Sequence, residues 1–277
     1  MNVFKVTIAV LVLFLAAWVG LRFFGLSQSY QIYDHPLMAR SKPWIVAWGG
    51  EQEAGPSHTR VALRSASEEK DVILGVNILM NKEKHFFALP LGSMTIADLT
   101  DAEVKKIDLG LGQGPMSLEE ILQEFGQNPL LLWVNDNAEN IDLRLKPILS
   151  QSDHRNQILI HSEFDNVVKS LKTLIPDLLY GTGVGQRIRV LMLSSMGLES
   201  VAPIDGDFVI TPIKERNIPS LSVEMKDEVT RRQKIFIIGP LNKVSENDQA
   251  LSFGATGYLT AFPRDLKKKL KLNSQSL

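Results

Sequence analysis

The sequence predicts an α/β protein, a (β/α)8 TIM-type barrel preceded by one N-terminal transmembrane helix. Short apolar runs alternate with mixed polar and apolar stretches along most of the chain, the pattern of parallel strands joined by crossover helices. The 251 residues left after the N-terminal segment suit a barrel of ~250 residues. Ahead of them an uncharged apolar run, Val6 to Leu21, is bounded by Lys5 and Arg22.

Residues 1–26 read as the anchor. The uncharged run covers about 24 Å as a helix, short of a bilayer core of about 30 Å. Phe23, Phe24 and Leu26 extend it if Arg22 snorkels to the interface. A cleaved signal peptide is the alternative, with Gly25-Leu26-Ser27 as its small-residue site, although Arg22 would interrupt it just before the cut. A buried core helix is the third option. Residues 27–42 form a linker, 43–272 the barrel and 273–277 a tail. Basic residues near both ends of the run leave orientation open by charge count. The short stretch ahead of it places the domain outside the cytoplasm, on a single-pass membrane protein.

The strand-like runs are Trp44–Trp48, Val72–Leu79, His85–Leu89, Leu130–Asn135, Gln157–His161, Asp177–Tyr180, Asp207–Thr211, Lys234–Ile238 and Gly257–Thr260. Nine runs for eight staves make one an accessory strand. Helices are expected over Ser57–Lys70, from the capping pattern Ser117-Leu118-Glu119-Glu120, and over Asp165–Leu174, Leu221–Arg232 and Ser245–Phe253. Lys267 to Lys271 would cap the C-terminus of the last helix, with anionic lipid as the other reading. A doubly wound sheet is the runner-up, but no Gly-rich phosphate loop follows any strand.

Composition narrows the function. With 30 Lys+Arg against 31 Asp+Glu, nothing suggests nucleic-acid binding. The chain has no cysteine, which removes disulfides, thiolate metal sites and a cysteine nucleophile.

Several stretches resemble the glycerophosphodiester phosphodiesterases. Gly254-Ala255-Thr256-Gly257-Tyr258-Leu259-Thr260 is similar to that family's G-A-D-G-I-I-T-D. Ala97-Asp98-Leu99-Thr100 through Lys105-Lys106-Ile107-Asp108-Leu109-Gly110 is similar to its D-L-T-x-x-E-L-K-K-L-D-x-G, and Pro115-Met116-Ser117-Leu118-Glu119-Glu120 to I-P-T-L-E-E. Ile160-His161-Ser162-Glu163-Phe164-Asp165 resembles I-x-S-F-D with one residue inserted, and Pro176-Asp177 follows. The resemblance spans residues 43 to 270 and implies the barrel fold.

The family's chemical motifs are replaced. Its H-R-G aligns with Trp48, Gly49 and Gly50. Its metal-binding E-L-D aligns with Leu74, Gly75 and Val76, and Asn77 is expected to point outward. The second catalytic His falls at Leu89, before Pro90. A further metal carboxylate maps near Trp133-Val134-Asn135-Asp136. The resemblance implies magnesium or calcium, but a hard divalent cation wants several oxygen ligands, so no metal or cofactor is expected. Acid/base groups contribute about 10²–10⁴-fold each, and both histidines are gone.

The expected function is therefore a membrane-anchored pseudoenzyme that binds a partner protein or a phospholipid headgroup. The alternative is an active phosphoric diester hydrolase with a site relocated around Asp136, His161 and Glu163. A purely structural envelope protein with a closed barrel mouth is the third reading. Candidate binding residues are Trp48, Gly50, Asn135, Asp136, His161 and Glu163. Trp48 reads first as a plug of an emptied pocket. His58 is expected to be a cap or solvated, His35 and His154 solvated, and His85 at the far, stability face.

Overall fold

A computed structural model of the chain describes residues 3–28, 30, 33–92, 94–215 and 217–275. In chain order its elements are α1 (Val3–Ser27), β1 (Trp44–Trp48), α2 (Arg60–Ser67), β2 (Val72–Met80), β3 (Phe86–Ala88), α3 (Asp101–Val104), α4 (Leu118–Phe125) and β4 (Leu130–Val134). Then come α5 (Ile141–Ser150), β5 (Ile158–His161), α6 (Asp165–Leu174), β6 (Leu179–Tyr180), α7 (Val184–Ser194), β7 (Phe208–Thr211), β8 (Lys214–Glu215) and β9 (Ile218–Pro219). The chain continues through α8 (Val223–Arg231), β10 (Ile235–Leu241), α9 (Val244–Phe253), β11 (Gly257–Thr260) and α10 (Pro263–Gln275).

Eight parallel strands run in the order β6-β5-β4-β2-β1-β11-β10-β7. A single parallel bridge, Gly181 to Phe208, joins the two ends. Thr182 N donates to Phe208 O across that seam at 2.8 Å. The result is a nearly closed (β/α)8 barrel. The accessory strand is β3, which pairs antiparallel with β2 through Ile78–Ala88, Leu79–Phe87 and Met80–Phe86.

The barrel strands are buried on both faces and mostly apolar, because one face meets the helices and the other fills the barrel. Ile45, Ala47, Leu74, Val76, Leu132 and Ile160 belong to the sheet–helix layer. Trp44, Val46, Trp48, Ile73, Leu131, Trp133, Leu159, Leu179, Phe208, Ile210, Ile237 and Leu259 pack together inside the barrel. Leu37, on a turn of 3-10 helix over Pro36–Ala39, joins that inner cluster and closes the floor.

The helix starts follow local chemistry. Ser117 and Glu120 form a reciprocal capping box on α4, and Thr100 and Glu103 do the same on α3. Three helices lie outside the sequence expectations. α3 is a single turn. α5 is interrupted by Pro147, and α7 opens on Gly183 and Gly185, residues that usually argue against a helix. Lys267 to Lys271 lie inside α10 rather than capping its end. There Lys267 pairs with Glu69 at 3.0 Å and Lys269 with Asp248 at 2.7 Å. The expected tail boundary at 273 also falls within α10, and residues 276–277 lie outside the described part.

α1 is one continuous helix, long and apolar enough to cross a membrane. Its last turns dock on the loop between α7 and β7. Trp18 Nε1 donates to Met196 O at 2.8 Å, and Arg22 Nη1 to Gly197 O at 2.9 Å. Gly25 is buried against Ser200, where a Cβ would lie 2.6 Å from the backbone carbon. That loop precedes a barrel strand, so α1 meets the floor, the N-terminal end of the strands.

Candidate functional site

In barrels of this type the site lies at the C-terminal ends of the strands, and strand parity decides which side chains reach it. β1 and β2 are aligned with Ala47 opposite Leu74 and Trp48 opposite Gly75. Trp48 faces inward, so Gly75 does too, and Asn77 shares its face. A Cβ on Gly75 would meet Val46, Trp48 and Leu259, all interior residues. Leu74 and Val76 point instead into the helix layer.

This corrects the expected register by one residue. The inward positions of β2 are Gly75 and Asn77, not the Leu74 and Val76 that the resemblance leads us to expect. Asn77 faces the interior rather than outward. It is fully buried, and its Nδ2 donates to Leu89 O at 2.9 Å while Oδ1 has no partner. Leu89 itself packs with Phe87, Ile96 and Val104 beside the hairpin.

Aromatic rings fill the upper barrel. The Trp48 and Trp133 centroids lie 5.2 Å apart, His58 meets Trp48 edge-on at 5.1 Å, and His161 meets Trp133 edge-on at 4.3 Å. Such pairs add about 0.5–1.5 kcal/mol each beyond the area they bury. Gly49 has φ +68, and a side chain there would run into Ser57 and His58. Position 49, where the resemblance would place an arginine, has no room for a side chain. Gly50, at φ +92, lies against the backbone of Ala62, so it serves the tight turn into α2.

His58 and His161 are both buried, and burial lowers each ring's pKa to about 3; Arg187 adds to the effect at His161. His58 is therefore neither a cap nor solvated: Thr59 caps α2. His35 is also buried, and its Nδ1 accepts from Leu37 N at the floor. His85 lies at the mouth side, because β3 runs antiparallel and starts beyond the end of β2.

A cavity of about 240 Å³ remains at the mouth, lined by Trp133, His161, Glu163, Arg187, Ile210, Lys214, Glu215 and Pro240 among others. Arg187 Nη1 donates to Glu215 Oε2 at 2.8 Å, and its side chain is only 6% exposed. The structure brings His161 and Glu163 together here. It leaves Trp48, Gly50, Asn135 and Asp136 off the cavity wall. Asp136 accepts from Ala138 N at 2.9 Å and Met80 N at 3.4 Å, so it braces the loop after β4. Arg187, Lys214 and Glu215 escaped the sequence reading because they sit on α7 and on a short hairpin. An arginine at helical spacing from glycines carries no signal of its own.

The resemblance implies a divalent cation, and β2 offers it little at the mouth. Asn77 Oδ1 is the one side-chain oxygen that β2 directs inward, beside Trp133 on β4. Among the described residues, one group could hold a metal by spacing, Glu83, His85 and Asp101, outside the barrel. Its members are already joined by hydrogen bonds, His85 Nδ1 to Asp101 Oδ2 at 2.7 Å and Asp101 N to Glu83 Oε2 at 2.7 Å.

No family model and no curated protein matches the chain. Solved structures do. A glycerophosphodiester phosphodiesterase from Parabacteroides distasonis superposes with a TM-score of 0.66 at 13% identity, over 85% of this chain and 100% of that one. The fold is that of the glycerophosphodiester phosphodiesterases. An Oleispira antarctica phosphodiesterase in complex with the product sn-glycerol-3-phosphate gives 0.64 at 14% identity, over 83% and 97%. One from Agrobacterium tumefaciens gives 0.58 at 9%, over 80% and 98%. At these identities the likeness establishes the glycerophosphodiester phosphodiesterase fold and leaves the chemistry to the residues.

Proposed function

We propose that the chain is a membrane-anchored barrel of glycerophosphodiester phosphodiesterase fold that binds rather than hydrolyses. The observation that carries this reading is the pairing of Trp48 with Gly75 at the top of β1 and β2. The indole occupies the volume from which a β2 carboxylate would reach a cation. Phosphodiester cleavage needs positive charge on the non-bridging oxygens and an acid/base group with a pKa near the working pH. Arg187 is paired with Glu215, and His161 has lost its proton long before neutrality.

The ligand is a partner protein or a phospholipid headgroup, received at the cavity around Arg187, Lys214 and Glu163. α1 docks on the floor, so the mouth is turned away from the anchor. That favours a protein or a water-soluble headgroup compound over a lipid held in the same bilayer. α1 is retained as a single-pass anchor, with the barrel on the extracytoplasmic side.

The test uses the purified full chain in detergent with glycerophosphocholine and glycerophosphoglycerol, with magnesium or calcium added. No release of glycerol 3-phosphate above the blank is expected. Release that disappears in His161→Ala would establish the relocated-site hydrolase instead.

A further inference from the structure

The anchor is attached to the barrel in a way that sets how the domain meets the lipid. We infer that the floor of the barrel beside α1 rests in the bilayer interface, through Met192 and Met196. This rests on the reading of α1 as a membrane span. The uncharged run Val6–Leu21 reaches about 24 Å, about 6 Å less than a hydrocarbon core of about 30 Å. About four further residues must lie in lipid, which takes the boundary past Arg22 to Phe23 and Phe24. Those two rings are 69% and 63% exposed, on the side of α1 away from the barrel. The barrel contacts α1 from this level down to about 8 Å inside it: Gly25 packs on Ser200, Arg22 bonds to Gly197, and Trp18 to Met196.

The exposed surface that continues from this contact carries two methionines. Met192 and Met196 are four residues apart, hence on one side of α7 and its final turn, and they are 63% and 59% exposed. Flexible, polarizable methionine suits a fluid apolar surface. Arg22 does not oppose this placement. Its guanidinium lies 5.7 Å from the Trp18 ring centre and donates to Gly197 O, so the charge is satisfied at the boundary. The occupant of this face is therefore the bilayer surface, continuous with the lipid around α1.

The absence of native cysteine makes single labels unambiguous. Leu13→Cys, Met196→Cys and Lys214→Cys are each introduced in the full chain. Each is labelled with an environment-sensitive fluorophore and reconstituted in phosphatidylcholine vesicles containing brominated lipid. Loss of emission is expected at residues 13 and 196, with none at 214, on the mouth side. Quenching at 13 but not at 196 would overturn the proposal and leave the anchor standing. No quenching at 13 would overturn the anchor reading itself, and the proposal with it. Unchanged circular dichroism confirms that each labelled chain is folded, and a blue shift at 196 provides a second readout.

Discussion

Trp48 and Gly75 face each other across β1 and β2, and a Cβ on Gly75 would stand 3.2 Å from Trp48 Cε3 and 3.0 Å from Val46 Cγ1. Each residue presupposes the other. An indole at position 48 requires an empty position 75, and an empty position 75 leaves a space that a large ring fills. Packing of this density tolerates neither an added methyl nor a removed ring without cost.

Gly75→Ala should therefore destabilise the barrel by about 1–3 kcal/mol through overpacking. In combination with Trp48→Phe the cost should be less than the sum of the two single changes. Urea unfolding of the four members of this cycle measures the coupling. Strict additivity would mean that the two positions do not compete for space.

The two buried histidines should make the protein acid-sensitive. Their pKa values are about 3 in the folded chain against an ordinary 6.5, so the unfolded chain binds more protons at mildly acidic pH. Stability is complete above pH 6.5 and falls as pH drops toward 3. By pH 5 each ring should cost about 2 kcal/mol. Denaturation midpoints at pH 7 and pH 5 test this, and His161→Phe should flatten the dependence.

The platform under α1 depends on Arg232. It donates to Glu228 Oε1 at 2.5 Å and to the carbonyls of Ala202 at 2.7 Å and Ser200 at 3.0 Å. Burial raises the Glu228 pKa, but Arg231 and Arg232 outweigh it and hold the carboxyl below its usual range. Arg232→Ala leaves Glu228 to Arg231 alone and leaves the carbonyls of Ala202 and Ser200 without their donor, and should cost about 1–3 kcal/mol. Thermal unfolding of the variant reports it, and a loss below about 1 kcal/mol, the range of exposed pairs, would contradict the burial.

Gly25→Leu should release α1 from the floor without unfolding the barrel, because Ser200 already occupies the space a side chain needs. Amide hydrogen exchange of residues 195–202 should accelerate while that of β1 and β2 stays as it was. Unchanged protection of the loop would show that the docking does not depend on this contact.

Much of the architecture was legible from residue patterns. β1 and β11 have the expected bounds, α6 begins and ends as expected, and the capping signature Ser117–Glu120 starts α4. These features are local: a run of β-branched and aromatic residues, or a cap three residues ahead of its partner. That β2 carries no acidic side chain was also legible, since none lies anywhere in Val72–Met80. Which of its residues face the barrel was not. β2 is buried on both faces, so it lacks the alternation that would reveal which residues face the barrel.

By itself, then, the sequence determined an anchor-length apolar helix, a barrel of alternating strands and helices, and a β2 without metal carboxylates. The tertiary structure decided that Gly75 and Asn77 face inward, because pairing with Trp48 sets the parity of β2. It also decided that Asp136 braces a loop while Arg187 and Glu215, distant in sequence, meet at the mouth. Those outcomes depend on strand register and helix packing, which are non-local interactions that no short run of residues encodes.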